Sequence, residues 1–574
     1  MTETKRRPER APAKKKPRGG PDRRQVRPER KPGRPAARRG SERAPDRGAS
    51  RAGGDRRAIG DRGDRPAVAA PRSLPRTSAR EVALRVLFEV ESRAAFADRH
   101  LDRRLDEARL GAEDRRLATQ IVQGTLRFER RIDHVLNQLT RRPLGELPIW
   151  IRLCLRLGAY QLLFLDRVPR HAAVDETVAL ANKYGHPGTA GLVNAILRRL
   201  PEAIREVTFP DPETDLVQAL GVYESHPDWI VRRWLARYGR ERTERLLAAN
   251  NEPAVVSIRV NRRRTTVVDL ERSLGKAGIR AEVGRLSPDC LRLAPGAVLY
   301  EMAAFRAGLC TVQDESESLV VPLLNPRPGQ RVLDLCTGPG GKLGHIAEWS
   351  RGEAHIVGVE IAPARLKRAR DGLARLGAEA DLVLADGRTF GRPGSFDRVL
   401  VDAPCSGLGV LRRRADARWR KTEAIFKEMV PLQKELLDHG AELVAPGGAL
   451  VYSVCSFEPE ECERQVAAFL ARHPGWQVDR PGPGIPPPAV TREGYVRVLS
   501  DEWGTDSVFA VRLCRRKDPP GASGEESAAA SGHDEEERAP ESAAAREVRR
   551  RSAPGARDPR RPGSRRPGSR SSGR

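Results

Sequence analysis

From Ser78 to about Leu200, apolar residues recur at helical spacing, as in AREVALRVLFEV, RRLATQIVQGTLRF, IDHVLNQL and IRLCLRLGAYQLLFL, with few strand-like alternations between them. The pattern predicts an all-α bundle of six or seven helices. In the stretch that follows, SHPDWIVRRWLARYG (225–239) has helical spacing and SIRVNRRRTT (257–266) alternates like a strand, so a small α+β module is expected up to about Leu324. Beyond Pro326 the period changes. QRVLDLC, HIVGVE, DLVLAD, DRVLVDAP and GALVYSVCS are short apolar runs, each ending in a polar or small residue, with helical stretches between them. Strands alternating with helices imply a parallel sheet with crossover connections. YVRVLS and SVFAVRL add a terminal hairpin.

Composition changes this picture at both ends. Residues 1–77 carry 25 Lys/Arg against 9 Asp/Glu and residues 515–574 carry 15 against 10, both rich in Pro, Gly, Ala or Ser and poor in large apolar residues. Such segments bury too little apolar surface to offset the entropy of ordering, so both are expected to be disordered tails. They also hold most of the net charge of +27. That excess suits a polyanion partner, although a solubilising tail reads the same way. The expected organisation is a basic tail (1–77), a helical domain (78–215), a connecting helix with a small α+β module (216–324), an α/β Rossmann-like domain (325–514) and a second tail (515–574).

No apolar run reaches the length of a membrane span; LRLGAYQLLFL at 155–165 is interrupted by Arg156 and Gly158. No apolar segment follows the basic start as in a signal peptide, so a cytoplasmic protein without membrane contact is expected. The eight cysteines show no CxxC pair, which argues against a metal site or a disulfide framework and for free thiols.

The first strand of the α/β region runs into Cys336, Thr337, Gly338, Pro339, Gly340, Gly341 and Lys342, then a helix, placing glycines where backbone approaches a ligand at a helix N-terminus. Leu343 breaks both the phosphate-loop pattern, which needs Ser or Thr after the lysine, and the dinucleotide pattern, which needs Gly or Ala there. An adenosine-bearing ligand without an extended phosphate chain remains. Glu360, about 20 residues beyond the glycines, can chelate ribose hydroxyls, and Asp386 at the third strand end can accept from an adenine amino group. Singly, each acid could be a helix cap. As a series, Asp334, Glu360, Asp386 and Asp402 at successive strand ends also suit a sulfonium cation, and S-adenosylmethionine fits best.

Strand four ends in Asp402-Ala403-Pro404-Cys405-Ser406-Gly407 and strand five in Ser453-Val454-Cys455-Ser456. If these strands are neighbours, both thiols reach one substrate, since paired strands lie about 5 Å apart. Carbon 5 of cytosine is a poor nucleophile, and a thiolate adding at carbon 6 makes it an enamine-like carbon able to attack a methyl donor. The alternative for either cysteine alone is a small apolar filler. The residues do not order the two thiols.

Two resemblances attach to these motifs. LRLGAYQLLFLDRVPRHAAVDETVALANKYG and GLVNAILRR, punctuated by Arg156, Gln161, Pro169, His171, Glu176, Asn194 and Arg198, look like the NusB family of helical RNA-binding proteins. LDLCTGPGGK, VGVE, ADGR, DAPCSGLG and YSVCSFEPEE, with upstream RVNRRRT and VQDESESLV, closely resemble the Nop2/Sun family of RNA cytosine-5 methyltransferases. Together, over about residues 78–514, they resemble the bacterial RsmB (Sun/Fmu) type of that family. This implies a NusB-like bundle, a small α+β RNA-binding module and a Rossmann-like class I methyltransferase domain. It further implies S-adenosylmethionine as methyl donor and no metal. RNA is the implied partner, as 16S rRNA or an early 30S particle, with the cytosine at position 967 as target and a monomeric enzyme. The resemblance makes Cys455 the nucleophile and Cys405 the aid to product release; residues 336–342, Glu360, Asp386 and Asp402 hold the cofactor or the reacting base. The loop departs from the commoner CAAPGGK, and DSVF stands where DGFF is usual. Two rivals remain: the same chemistry on tRNA or another rRNA cytosine, and an antitermination-like RNA-binding factor with an inactive methyltransferase domain.

Overall fold

The computed structural model describes residues 77–516, apart from 94, 95 and 298. The expected tails therefore lie almost wholly outside the described residues. Seven helices form the first region: α1 (Ala79–Arg93), α2 (Ala97–Ala108), α3 (Ala112–Arg127), α4 (Glu129–Leu139), α5 (Ile149–Phe164), α6 (Arg170–Tyr184) and α7 (Pro187–Ala203). Their apolar faces make one continuous core, with α5 buried along most of its length. Arg156, Gln161 and Glu176 of the helical motif tie helices of this bundle together. Arg156 binds Asp133 through two nitrogens (2.7 and 2.6 Å) and reaches Glu91 and Glu129. Arg80 bridges Gln161 and Glu176, both at 2.7 Å. Among the described residues no helix is long and apolar enough to cross a membrane.

α8 (Leu216–Tyr223) and α9 (Asp228–Asn251) follow. The helix expected over 225–239 ends at Gly239, whose φ of 73° breaks α9 before it resumes to Asn251. The small module is an antiparallel sheet of β1 (Val256–Val260), β2 (Ala281–Val283), β3 (Cys290–Leu293) and β4 (Cys310–Val312), in the order β2-β3-β1-β4. The strand expected over 257–266 is shorter than its alternation suggests. Asn261 ends it, its side-chain amide donating to the carbonyls of Gly308 (3.0 Å) and Leu376 (2.9 Å) while Arg262–Arg264 form a turn.

The large sheet contains β5 (Arg331–Asp334), β6 (His355–Glu360), β7 (Asp381–Leu384), β8 (Phe396–Asp402), β9 (Val444–Val454), β10 (Trp476–Val478), β11 (Val496–Val498) and β12 (Val508–Arg515). Its order is β10-β12-β9-β8-β5-β6-β7, with β11 also on β12. β5 through β9 pair in parallel, and β12 runs antiparallel to β9, β10 and β11, which supplies the expected hairpin. Separate apolar clusters cover the two faces, as a doubly wound sheet requires. The strand order reverses between β5 and β8, where such sheets open a crevice at their carboxyl ends. At the DSVF departure, Ser507 is buried without a positive φ, and its hydroxyl accepts from the Ser500 amide at 3.0 Å. The missing glycine therefore imposes no strain.

Candidate active site

The loop after β5 takes its shape from two left-handed glycines, Gly338 (φ 58°) and Gly340 (φ 88°). A Cβ on Gly340 would meet the backbone of Ala369, in helix Pro363–Leu376, at 2.9 Å, so any side chain would push the loop off its neighbour. Glu360, only 4 % exposed, accepts from the Gly338 amide (3.0 Å), the Ala362 amide (2.7 Å) and Arg365 (2.7 Å). The carboxyl group at the end of β6 thus fixes the glycine loop as well as facing the crevice. Lys342 lies behind the crevice wall, bonding Asp402 at 2.8 Å with Glu317 at 3.7 Å. Burial would lower the Lys342 pKa, but these two acids more than offset it and raise it.

Asp386 lies two residues beyond the end of β7 rather than at it. It is 30 % exposed and held by Arg388 through the backbone amide (2.9 Å) and the guanidinium (2.6 Å), which together lower its pKa. Asp334, at the end of β5, is the opposite case. It is fully buried, makes no side-chain hydrogen bond and does not line the crevice, and burial, then the charge of Asp402, pushes its pKa up to about 7 against the opposing Lys342 charge and the Cys336 amide.

β8 and β9 are neighbours, with Asp402 opposite Ser453 and the Ser453 hydroxyl donating to Asp402 at 2.7 Å. The chains leaving these strands bring Cys405 Sγ and Cys455 Sγ to 3.2 Å, well beyond the bond length of a disulfide. The hydrogen bond to Cys455, then burial, raises the Cys405 pKa well above that of an ordinary thiol.

A carboxyl group that the motifs did not single out ties the two thiol loops together. Glu461, fully buried, accepts from the Ser406 amide (2.6 Å), the Ser406 hydroxyl (2.5 Å), the Ser456 hydroxyl (2.5 Å) and Gln433 (3.1 Å). Three of its four donors thus belong to the residues next to Cys405 and Cys455. The pair of serines following the cysteines at the same offset is the only trace of this clamp in the sequence. Lys421 is a second unanticipated residue: it donates to the Ser406 carbonyl and interacts electrostatically with both thiols, while burial lowers its pKa.

Each thiol loop continues into a contact outside the α/β domain. Beyond Cys405, Ala415 packs into the helical core, the Trp419 indole donates to the Leu126 carbonyl at 2.6 Å, and Arg418, fully buried, donates to the Ser225 carbonyl at 3.0 Å. Beyond Cys455, Glu458 accepts from Trp234 and Arg233 of α9, both at 2.9 Å.

One cavity of about 710 Å³ joins these parts. Cys336, Gly338, Glu360, Asp386, Asp402, Cys405, Cys455 and Lys421 line it; Thr337, Pro339, Gly340, Gly341 and Lys342 do not. Its size suits a nucleoside-sized ligand.

Comparison with known proteins agrees with this layout. Residues 321–514 match the family described as 16S rRNA methyltransferase RsmB/F, residues 77–202 the NusB family and residues 226–298 an RsmF/B-like ferredoxin-like domain. The probable ribosomal RNA small subunit methyltransferase B of Bacillus subtilis (strain 168) is 33 % identical over 451 residues, covering 77 % of this chain and 100 % of that protein. The ribosomal RNA small subunit methyltransferase B of Pseudomonas putida is 37 % identical over 443 residues, covering 76 % and 98 %. The crystal structure of PH0851 superposes with a TM-score of 0.66 at 26 % identity, covering 77 % of this chain and 99 % of that one. With a helical NusB region, a small sheet module and a methyltransferase domain in that order, the chain belongs to the ribosomal RNA small subunit methyltransferase B family.

Proposed function

We propose that the chain transfers a methyl group from S-adenosylmethionine to carbon 5 of a cytosine in 16S rRNA, through a transient bond between Cys455 and carbon 6. The observation that carries this reading is the 3.2 Å contact between the two sulfurs inside the cavity that also holds Glu360, Asp386 and Asp402. When bound, S-adenosylmethionine supplies the electrophilic methyl group. Glu360 and Asp386 hold its adenosine part, the 336–342 loop shapes the wall around it, and Asp402 faces the reacting base.

The target base leaves its stack to enter such a cavity. Cys455 Sγ, as thiolate, forms a bond to carbon 6 and moves electron density to carbon 5, which takes the methyl group as the methyl–sulfonium bond breaks and its electron pair stays on sulfur, leaving a neutral thioether. The carbon-5 hydrogen then leaves as a proton, the carbon 6–sulfur bond breaks, and the ring double bond and the Cys455 thiolate are restored. Cys405, 3.2 Å from Cys455 and beside Lys421, stands where a group that aids removal of the carbon-5 proton would have to be.

Bisulfite sequencing of total RNA from a strain lacking the gene tests the reading. The expected result is the loss of one methylated cytosine in 16S rRNA, restored by the wild-type gene and not by Cys455→Ala. A lost tRNA or other rRNA site moves the substrate, and an unchanged methylation map refutes the function.

A further inference from the structure

Phe96 is the one large ring of the helical region left about half exposed among the described residues, at 46 %, whereas Phe88, Trp150 and Tyr184 stack on one another. It stands immediately before α2, far from the catalytic motifs in sequence, yet it lines the same cavity as both thiols. The guanidiniums of Arg420 and Arg99 lie over its ring at 4.3 and 5.1 Å. Arg365, Arg414 and Lys421 line the cavity with it.

This rim is crowded with positive charge. Burial, and then the charges of Arg368, Arg414 and Arg365, lower the pKa of Arg99. Arg365 is offset by Glu360, and Asp98 senses Arg414, but among the described residues no salt bridge engages Arg99, Arg368 or Arg414. Like charges gathered around an opening are costly unless an anion joins them. An exposed ring and Arg414 on the wall of a base-sized pocket, with Arg99 against the ring and Arg368 one helical turn beyond the wall residue Arg365, match the two parts of a single-stranded nucleotide, a stacking face and a phosphate.

We propose that Phe96, Arg99, Arg368 and Arg414 hold the RNA nucleotides that flank the target cytosine, with Phe96 packing on an adjoining base and the guanidiniums taking the phosphates. The helical region then supplies part of the acceptor site rather than only a remote anchor. This rests on the RNA acceptor argued above. It assigns the rim to RNA and not to the methyl donor.

The test uses the full chain with an unmethylated 16S rRNA fragment bearing the target, read by steady-state methyl transfer and by fluorescence anisotropy of the labelled RNA. Phe96→Ala should raise KM for RNA and the RNA Kd about tenfold while KM for S-adenosylmethionine stays put. Phe96→Trp, which keeps a stacking face, should restore both RNA constants. Replacing Arg99, Arg368 and Arg414 together by Gln should flatten the slope of log affinity against log salt by roughly 2–3. Unchanged RNA affinity and salt slope in these variants overturn the proposal, as does a rise in the KM for S-adenosylmethionine in Phe96→Ala, or a Phe96→Trp no better than Phe96→Ala. A wild-type protein that binds the fragment without methylating it counts against the proposed reaction alone, because the binding arms still decide the role of the rim. Matching thermal melting curves exclude misfolding.

Discussion

The two sides of the candidate active-site cavity are built in different ways. The β5–β6 side is local: two left-handed glycines, one close approach to Ala369, and Glu360 holding the Gly338 amide 22 residues away in sequence. The β8–β9 side depends on distant groups. Glu461 joins the residues next to Cys405 and Cys455, the segment beyond Cys405 packs into the helical core, and the segment beyond Cys455 is held by α9. The first side needs only a shaped backbone, whereas the second must hold two sulfurs in contact, which no single loop conformation supplies. The thiol side should therefore be the more sensitive to substitutions that touch no ligand.

The largest effect separates the thiols themselves. Cys455→Ala should reduce methyl transfer on the order of a thousandfold or more and form no covalent RNA adduct, since nothing then activates carbon 5. Cys405→Ala should still attack and methylate but stall, giving a protein–RNA band that survives denaturing electrophoresis and requires S-adenosylmethionine. The double variant should behave as Cys455→Ala. The opposite pattern, with the adduct trapped by Cys455→Ala, exchanges the two roles.

Next comes the clamp. Glu461→Ala leaves the Ser406 amide and two hydroxyls without their acceptor, while Gln433 keeps the Pro404 carbonyl, at a cost on the order of 2–4 kcal/mol in unfolding free energy. Because those donors flank the cysteines, the variant should also lose about a hundredfold in kcat with little change in donor affinity. Glu461→Gln keeps one carbonyl acceptor and should recover part of the rate. If Glu461→Ala lowers the melting temperature but leaves kcat intact below it, the clamp supports the fold without setting the sulfur–sulfur contact.

The difference between the two sides also decides what could be read from the sequence. Glycines after a strand, acids at strand ends and cysteines following neighbouring strands are short-range patterns, so Gly338, Gly340, Glu360, Asp402, Cys405 and Cys455 were accessible to it. Glu461 was not, because a buried glutamate inside YSVCSFEPEE looks like a solvated acid until Ser406, 55 residues earlier, is found against it. Lys342 looks like a ligand-facing lysine, but its partners Asp402 and Glu317 lie on other elements. The alternation of SIRVNRRRTT overextends the strand for a related reason: it persists past Asn261, whose side-chain amide ends the strand by donating to the distant carbonyls of Gly308 and Leu376. Phe96 belonged to the helical pattern, and nothing in that pattern places it at the thiols.

A third prediction concerns Asp334, which lies where the two sides meet. Its folded pKa of about 7 exceeds the usual aspartate value, so the folded state binds this proton more tightly than the unfolded chain does. The stability it contributes is complete below the unfolded pKa of about 4 and is lost as pH rises through about 7. Between pH 5 and pH 8 the loss should amount to about 2–3 kcal/mol. Asp334→Asn has no such proton, so its unfolding free energy should fall less over that range in denaturant titrations. Parallel pH profiles for the two proteins would show that the carboxyl ionises freely, most simply by finding a partner.

The smallest effects lie within the β5–β6 side and test whether its two acids are equivalent, as their positions along the chain suggest. Glu360 is almost fully buried and bonded to the Gly338 amide, the Ala362 amide and Arg365. Removing it unpairs those donors and frees the glycine loop, so Glu360→Ala should weaken S-adenosylmethionine binding by about 1–3 kcal/mol. Asp386 is partly exposed, and its carboxyl is already engaged by Arg388, which also reaches Glu435 at 3.0 Å. Water can replace much of what Asp386→Ala removes, so its cost should stay below about 1 kcal/mol. Calorimetry with the donor on both variants measures the difference directly. Equal losses would mean that Asp386 leaves Arg388 when the donor binds and takes a full share of the contact; no loss in either would remove both from the donor site and leave the glycine loop to account for it.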